Sequence, residues 1–232
     1  MNRKEFYTSL RKSIFKKGLG KKQVAGMEFI LDQWGETGFM DTRWLAYALA
    51  TTLHETARTM QPIKERGRHS YFMRMYDKSG ARPHVAKRLG NTVVGDGAKF
   101  AGRGFVQLTG RTNYTRASRI LGIDFLRSPA KVMEPNNAAF IMFQGMKDGW
   151  FTGKGFASYL SGNTTDYVNA RRIINGTDKA EKIAGYAEDF ERAISAAVSA
   201  KPEPRPVPIP TAPTSTNIIS LLVAFLKRIF GR

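Results

Sequence analysis

The stretch His54-Glu55-Thr56-Ala57-Arg58-Thr59-Met60-Gln61-Pro62-Ile63-Lys64-Glu65-Arg66-Gly67 places two glutamates on either side of a proline. In one straight helix, a rise of about 1.5 Å per residue would hold their carboxylates roughly 15 Å apart. Pro62 removes a backbone donor and disfavours the helical conformation of the residue before it, so a helix over 42–60 is predicted to end near Met60. The chain is then able to fold Glu65 back across a cleft from Glu55.

Two carboxyl groups brought together in this way suit the hydrolysis of a glycosidic bond. One protonates the leaving oxygen, and the other, ~5 to 9.5 Å away, activates water or attacks the sugar. Glutamates beside helices are more often solvated or ion-paired, so the rest of the chain must support this interpretation. Glu55 flanks the apolar stripe of its helix, beside small residues where a pocket can open. The stripe is Leu45, Leu49, Leu53, Ala57 and Met60, and the small residues are Ala48, Thr51 and Thr52.

Composition predicts one substantial core with an appendage. The chain has 232 residues, 42% of them hydrophobic, and no cysteine, so disulfides and thiolate metal sites are excluded. The net charge of +18 attracts polyanions: nucleic acid, anionic lipid or a cell wall that carries carboxylates. The first residues, Met1–Tyr7, lack the apolar core of a secretory signal.

Apolar spacing predicts a mainly α-helical fold. Helices are expected over 3–16, 22–34, 42–60, 112–121, 135–147 and 179–199, and no strong alternating strand pattern appears. Glycines between Gly90 and Gly110 predict a loop or short extended structure around a site, because glycine allows close approach of backbone to a ligand.

Metal and nucleotide chemistry find no support in the motifs. His54-Glu55 begins like a zinc-protease motif, but Arg58 stands where the second histidine is needed. No phosphate-binding glycine loop or nucleophile elbow is present. We therefore expect no metal and no cofactor, and a structural role for His54.

The composition changes after residue 200. The segment Lys201–Pro213 holds six of the ten prolines, which predicts an extended linker over 201–217. Residues 218–232 are predicted to form a cationic amphipathic helix. Residues 218–230 would span roughly 20 Å, less than the ~30 Å hydrocarbon core, so the helix is expected to lie in an anionic membrane or lipopolysaccharide surface. Docking onto the catalytic domain, 1–200, or an oligomer contact are the alternatives. The apolar face is Ile218, Ile219, Leu222, Leu226, Ile229 and Phe230.

Five motifs and their order along the chain resemble the family 19 glycoside hydrolases, in particular their phage endolysin branch. They cover roughly residues 40 to 195 and imply a lysozyme-like fold and an inverting mechanism without metal. The motifs are His54-Glu55-Thr56, then Glu65, Leu89-Gly90-Asn91-Thr92 with Gly95-Asp96-Gly97, Gly102-Arg103-Gly104-Phe105-Val106-Gln107-Leu108-Thr109, and Ile173-Ile174-Asn175-Gly176.

The resemblance also implies roles for individual residues. Glu55 matches the general acid of the family's His-Glu-Thr motif, and Glu65 is the candidate base, at the short interval of the phage-type members rather than the longer one of plant chitinases. Thr109 matches the hydroxyl residue that holds the attacking water. Sugar-binding positions are matched by Gln107, Asn113 and Asn175, and Lys182 stands where the family often has arginine.

The resulting expectation is a monomeric endolysin that hydrolyses the β-1,4-linked glycan of peptidoglycan. It would be made in the host bacterial cytoplasm and act on the wall after release. The strong positive charge favours a wall with peptide carboxylates over neutral chitin. A chitinase is the alternative within enzymes. From another class, the alternative is a catalytically inactive cationic protein that binds membranes or nucleic acid; the expectation includes no nucleic-acid partner.

Overall fold

The computed structural model describes residues 1–201, and most of them lie in helices. The strands are two residues long, and short 3₁₀ helices cover Pro129–Met133, Phe156–Ser158 and Asn169–Ile173. The helices are α1 (Arg3–Lys12), α2 (Lys21–Thr37), α3 (Thr42–Glu55), α4 (His69–Tyr76), α5 (Pro83–Leu89), α6 (Asp96–Lys99), α7 (Arg111–Leu121), α8 (Pro135–Asp148) and α9 (Ala180–Ser199). The strands are β1 (Ile63–Lys64), β2 (Arg103–Gly104), β3 (Leu160–Ser161) and β4 (Thr164–Thr165).

Helix α3 forms the centre of the main core. Every residue from Leu45 to Leu53 is buried, and a helix that is apolar or small-residue on all sides must be surrounded by other elements. Helix α9 packs along both α3 and α1, and α2 packs on α8. Asp41 begins α3 by accepting a hydrogen bond from the backbone N–H of Arg43. The helix that carries Glu55 is therefore fixed along nearly its whole length.

A second, smaller core lies around α7 and the middle of α8. It contains Phe100, Leu108, Tyr114, Phe125, Val132, Ile141 and Trp150. Strands β1 and β2 pair antiparallel, with Ile63 opposite Gly104 and Lys64 opposite Arg103. Strands β3 and β4 form a separate hairpin. The first of these pairs joins the segment that carries Glu65 to the glycine-rich segment.

The mainly α-helical prediction is confirmed, and each helix predicted within residues 1–201 overlaps an observed one. Helices α4, α5 and α6 were not predicted, because each is too short to repeat an apolar spacing over several turns. The glycine-rich region contains α6 and β2 as well as loop. Helix α5 begins at Pro83 and ends at Leu89. It is followed by Gly90, whose φ of 68° is the left-handed conformation that closes many helices.

The predicted end of the central helix is wrong by five residues. Helix α3 stops at Glu55 rather than near Met60, well before Pro62. The hydroxyl of Thr56 donates to the Thr52 carbonyl at 2.7 Å and accepts from the Met60 N–H at 3.0 Å, so it replaces helical partners. Ala57, Arg58 and Met60 have positive φ angles, which reverse the chain direction without the proline. Ala57, predicted on the apolar stripe, is exposed, whereas Met60 is buried.

Asp77 holds the segment after α4 against α6. Its carboxylate accepts from the N–H and hydroxyl of Ser79 and from the N–H groups of Gly95 and Gly97, at 2.7 to 3.1 Å. Burial alone raises the pKa of Asp77, but these hydrogen bonds outweigh it and lower the pKa below its usual range. The anchored turn follows Tyr76 directly, so it fixes the position of that tyrosine.

The predicted linker over 201–217 and the predicted amphipathic helix over 218–232 lie, after Lys201, outside the described residues. Among residues 1–201, no helix combines the length and apolar character needed to cross a membrane.

Candidate active site

A cleft of about 850 Å³ contains both predicted catalytic glutamates. It is lined by the end of α3, by β1 and the residues after it, by the start of α7, and by residues 174–176. Of the other predicted site residues, Gln107, Thr109, Asn113 and Asn175 also line it. The structure therefore brings six of the seven predicted residues to one cavity, although their positions span most of the described chain.

Strand pairing and two hydrogen bonds place Glu65. Its backbone N–H donates to the Gly102 carbonyl at 2.8 Å, which continues the β1–β2 pairing by one residue. Its Oε2 accepts from the Gly102 N–H at 3.1 Å, and its Oε1 accepts from the Tyr76 hydroxyl at 2.8 Å. Burial and the hydrogen bond to Glu65 raise the pKa of Tyr76, so this hydroxyl stays protonated and remains a donor.

Glu55, the last residue of α3, is paired with a buried arginine. The Arg171 Nη1 donates to Glu55 Oε1 at 2.6 Å, and the Arg171 side chain is only 4% exposed against 18% for Glu55. Arg171 lies in the 3₁₀ helix Asn169–Ile173, and its Nε donates to the Asp178 carbonyl. The buried guanidinium is thus held from both sides, and it orients one carboxyl oxygen of Glu55 while the other has no described hydrogen-bond partner.

Three side-chain oxygens converge on Gly102. A Cβ atom at this position would lie 2.9 Å from Gln107 Oε1, 3.1 Å from Glu65 Oε2 and 3.2 Å from Thr109 Oγ1. A methyl group here would press on all three side chains, so the absence of a side chain at Gly102 lets the carboxylate, amide and hydroxyl approach one point. Thr109 and Glu65 are therefore neighbours in the cleft.

The Thr109 hydroxyl already donates its proton to a hydrogen bond within the protein. It donates to the Gln107 carbonyl at 2.8 Å, so its lone pairs face the cleft as acceptors. Gln107 itself has a φ of 56°, and its side-chain amide donates to the carbonyls of Ile63 and Gly104. Asn113, in the first turn of α7, donates to the Thr109 carbonyl at 3.2 Å. The amides of Gln107 and Asn113 thus brace the loop as well as lining the cleft.

Of the remaining residues singled out in the sequence, one lines the cleft and two do not. Asn175 is exposed on the cleft wall. Lys182 does not line the cleft; it is exposed on α9, with its ammonium 5.9 Å from the centre of the Tyr186 ring. His54 is half-buried, and burial lowers its pKa while the charge of Glu55 opposes that shift. No group of three metal-binding side chains occurs in residues 1–201.

Two residues of this site were missed in the sequence. Tyr76 ends a short helix that periodicity does not detect, and Arg171 lies in a 3₁₀ segment with no repeating pattern. A partial signal existed for Arg171, since it lies two residues before the Ile173-Ile174-Asn175-Gly176 motif. Its burial was not predictable, because arginine is rarely buried unless it is paired.

The family of this chain follows from its match to a known family profile. Residues 28–158, more than half of the chain, match the glycoside hydrolase family 19 profile, described as chitinase class I. The chain belongs to glycoside hydrolase family 19. The matched range contains Glu55, Glu65, Gln107, Thr109 and Asn113, whereas Arg171 and Asn175 lie beyond it. The protein is therefore a glycoside hydrolase.

Two solved structures are similar to this family 19 member. Chitinase C from Streptomyces griseus HUT6037 superposes with a TM-score of 0.52 at 16% identity, covering 86% of this chain and 77% of that chain. A bacterial family 19 chitinase matches with a TM-score of 0.43 at 20% identity, over 78% of this chain and 88% of that chain. The first likeness supports the lysozyme-like, mainly α fold. No curated protein sequence matches the chain significantly.

Proposed function

We propose that this family 19 hydrolase is an endolysin that cleaves β-1,4 glycosidic bonds in bacterial peptidoglycan by an inverting acid/base mechanism. The observation that carries the proposal is one cleft that contains Glu55, paired on one oxygen only, and Glu65, which shares the space around Gly102 with the Thr109 hydroxyl. The choice of peptidoglycan as the substrate also depends on the positive charge of the protein.

In this mechanism Glu55 is the general acid and protonates the bridging oxygen of the glycan. Glu65 is the base, and Thr109 helps to hold the water. Because the Thr109 proton is already donated to Gln107, a water in the cleft gives one hydrogen to Thr109 and the other to Glu65. Its lone pair is then left for the anomeric carbon. Gln107, Asn113 and Asn175 are suited to bind the acetamido and hydroxyl groups of the sugars, whereas Lys182 lies outside this cleft.

Two arginines of the cleft favour peptidoglycan over chitin. Arg66 and Arg88 both line the cleft and are exposed. Neither makes an ion pair within residues 1–201. Chitin is uncharged, but the stem peptides of peptidoglycan carry carboxylates that unpaired arginines can bind. An overall charge of +18 also concentrates the protein at an anionic wall.

The substrate is tested by digestion of purified peptidoglycan. We expect soluble fragments whose new reducing ends, after borohydride reduction, are identified by mass spectrometry as amino sugars, and a slower reaction on soluble chitin oligomers. Faster cleavage of chitin than of peptidoglycan would establish the chitinase alternative instead. Cleavage of neither, with tight and steeply salt-dependent DNA binding, would establish an inactive cationic protein.

The proposal extends to partners and location. The enzyme acts on the wall as a monomer after release from the cytoplasm of a bacterial host. The cationic amphipathic segment 218–232, joined by the proline-rich linker, binds the anionic membrane or lipopolysaccharide and assists access to the wall. This part of the proposal is supported by sequence alone: an apolar face next to Lys227 and Arg228, with a further arginine at 232.

A further inference from the structure

A second pocket lies beside the catalytic cleft and has an unusual lining. It has a volume of about 500 Å³. Residues of α4 and the three residues before it form its wall: Arg66, Gly67, Arg68, Ser70, Tyr71 and Arg74. Three of these residues are arginines, and none is acidic. The pocket and the cleft share Arg66, the residue that follows Glu65. The two cavities therefore border on each other next to the proposed catalytic base.

The three guanidinium groups have no protein partner in the described part of the chain. None of them takes part in an ion pair there, and all three residues are exposed. Other arginines of the molecule are engaged: Arg111 pairs with Asp96, and Arg171 pairs with Glu55. Positive charges gathered around a cavity without a counter-charge create a potential that favours an anion.

We propose that Arg66, Arg68 and Arg74 form a subsite for carboxylates of the peptidoglycan stem peptide. This inference rests on the proposed function and names the part of the substrate that the enzyme recognises besides sugar. Stem peptides branch from alternate sugars of the glycan, so a glycan strand in the cleft places a peptide at the cleft edge. Guanidinium groups bind carboxylates through paired N–H donors, a geometry that lysine does not reproduce. Ser70 and Tyr71 add polar and aromatic surface for the peptide.

The test compares glycan strands with stem peptides and the same strands after an amidase has removed the peptides. The stripped strands keep a lactyl carboxylate directly on the sugar but lack the carboxylates of the peptide. The variant is the double substitution Arg68→Gln with Arg74→Gln, because these residues line the second pocket and not the cleft. We expect its KM on peptide-bearing strands to rise on the order of tenfold at low salt. Its kcat on both substrates and its KM on stripped strands should stay close to wild type.

A matched control removes the same charge elsewhere. Arg119→Gln with Arg127→Gln changes two exposed arginines that line neither cavity, and it should leave the KM on both substrates unchanged. Arg68→Lys with Arg74→Lys keeps the charge but not the paired donors, so it should recover only part of the lost affinity. Unfolding curves of all variants should coincide, because the replaced side chains are exposed.

The results separate the subsite from the proposed function. An unchanged KM on peptide-bearing strands, an equal rise on stripped strands, or the same rise in the control variant would overturn the subsite while wild-type activity on peptidoglycan stands. Wild-type enzyme that cuts neither substrate would reject the proposed function and the subsite with it.

Discussion

Replacing Glu55 with glutamine is expected to lower the rate of peptidoglycan hydrolysis roughly 10²- to 10⁴-fold, the usual contribution of a general acid. The amide has nearly the same shape but cannot donate the proton to the bridging oxygen. Its carbonyl oxygen can still accept from Arg171, so the neutral side chain retains the contact that orients it. Release of soluble fragments from purified peptidoglycan measures the loss, and thermal unfolding measures the integrity of the fold.

The matched control is Glu188→Gln. Glu188 is an exposed residue of α9 outside the cleft, so the same chemical change there should leave activity near wild type. A Glu55→Gln enzyme that keeps more than about a tenth of wild-type activity would exclude Glu55 as the acid. Glu65→Gln is a less clean test, because both Glu65 oxygens accept hydrogen bonds and the amide nitrogen would face either Tyr76 or the Gly102 N–H.

Removal of the tail is expected to abolish most lysis of intact cells. A chain that ends at Ala200 retains every residue assigned to catalysis, so it should digest purified peptidoglycan at close to the wild-type rate. It lacks the proposed amphipathic segment and should lose most of its binding to vesicles of anionic lipid. High salt should weaken vesicle binding of the full chain, because it screens the attraction of Lys227, Arg228 and Arg232 to the lipid.

Substitutions within the full chain distinguish loss of the apolar face from the effect of added negative charge. Leu222→Glu with Leu226→Glu should reproduce the truncation, because it places two charges on the apolar face. Ser220→Glu with Ala224→Glu adds the same charge to the polar face and should retain more vesicle binding. Intact-cell lysis that is unaffected by both the truncation and the leucine substitutions would reject a membrane role. A truncated chain that fails to fold would instead favour docking of the helix on the catalytic domain.

The placement of Glu55 and Glu65 in one cleft was predictable from sequence, although Pro62 is not the residue that reverses the chain. Pro62 does prevent a single helix from holding the two residues apart. The observed reversal, however, is made earlier by Thr56 and by the positive φ angles of Ala57, Arg58 and Met60. A left-handed conformation at non-glycine residues has no reliable signature in a single sequence. The prediction therefore identified the right neighbours by way of a helix that is five residues too long.

Residues that enter the site from distant parts of the chain were harder to predict. The convergence of Glu65, Gln107 and Thr109 depends on two-residue strands and on the absence of a side chain at Gly102. Strands this short show no alternation. Arg171 reaches Glu55 across 116 positions in sequence, and such a contact follows only from tertiary packing. The resemblance of motif order was what brought Thr109 and Asn175 into the prediction, and it also included Lys182, which lies outside the cleft.

The claim that Glu55 and Glu65 act as acid and base on a water molecule is tested most directly by the stereochemistry of the first product. Proton NMR of soluble glycan strands, recorded during early hydrolysis, distinguishes the two anomers before they equilibrate. For a Glu65 that activates water, as we propose, instead of attacking the sugar, we predict that the β-1,4 bond initially yields the α-anomer. Initial formation of the β-anomer would contradict the mechanism and show that the bond is cleaved with retention.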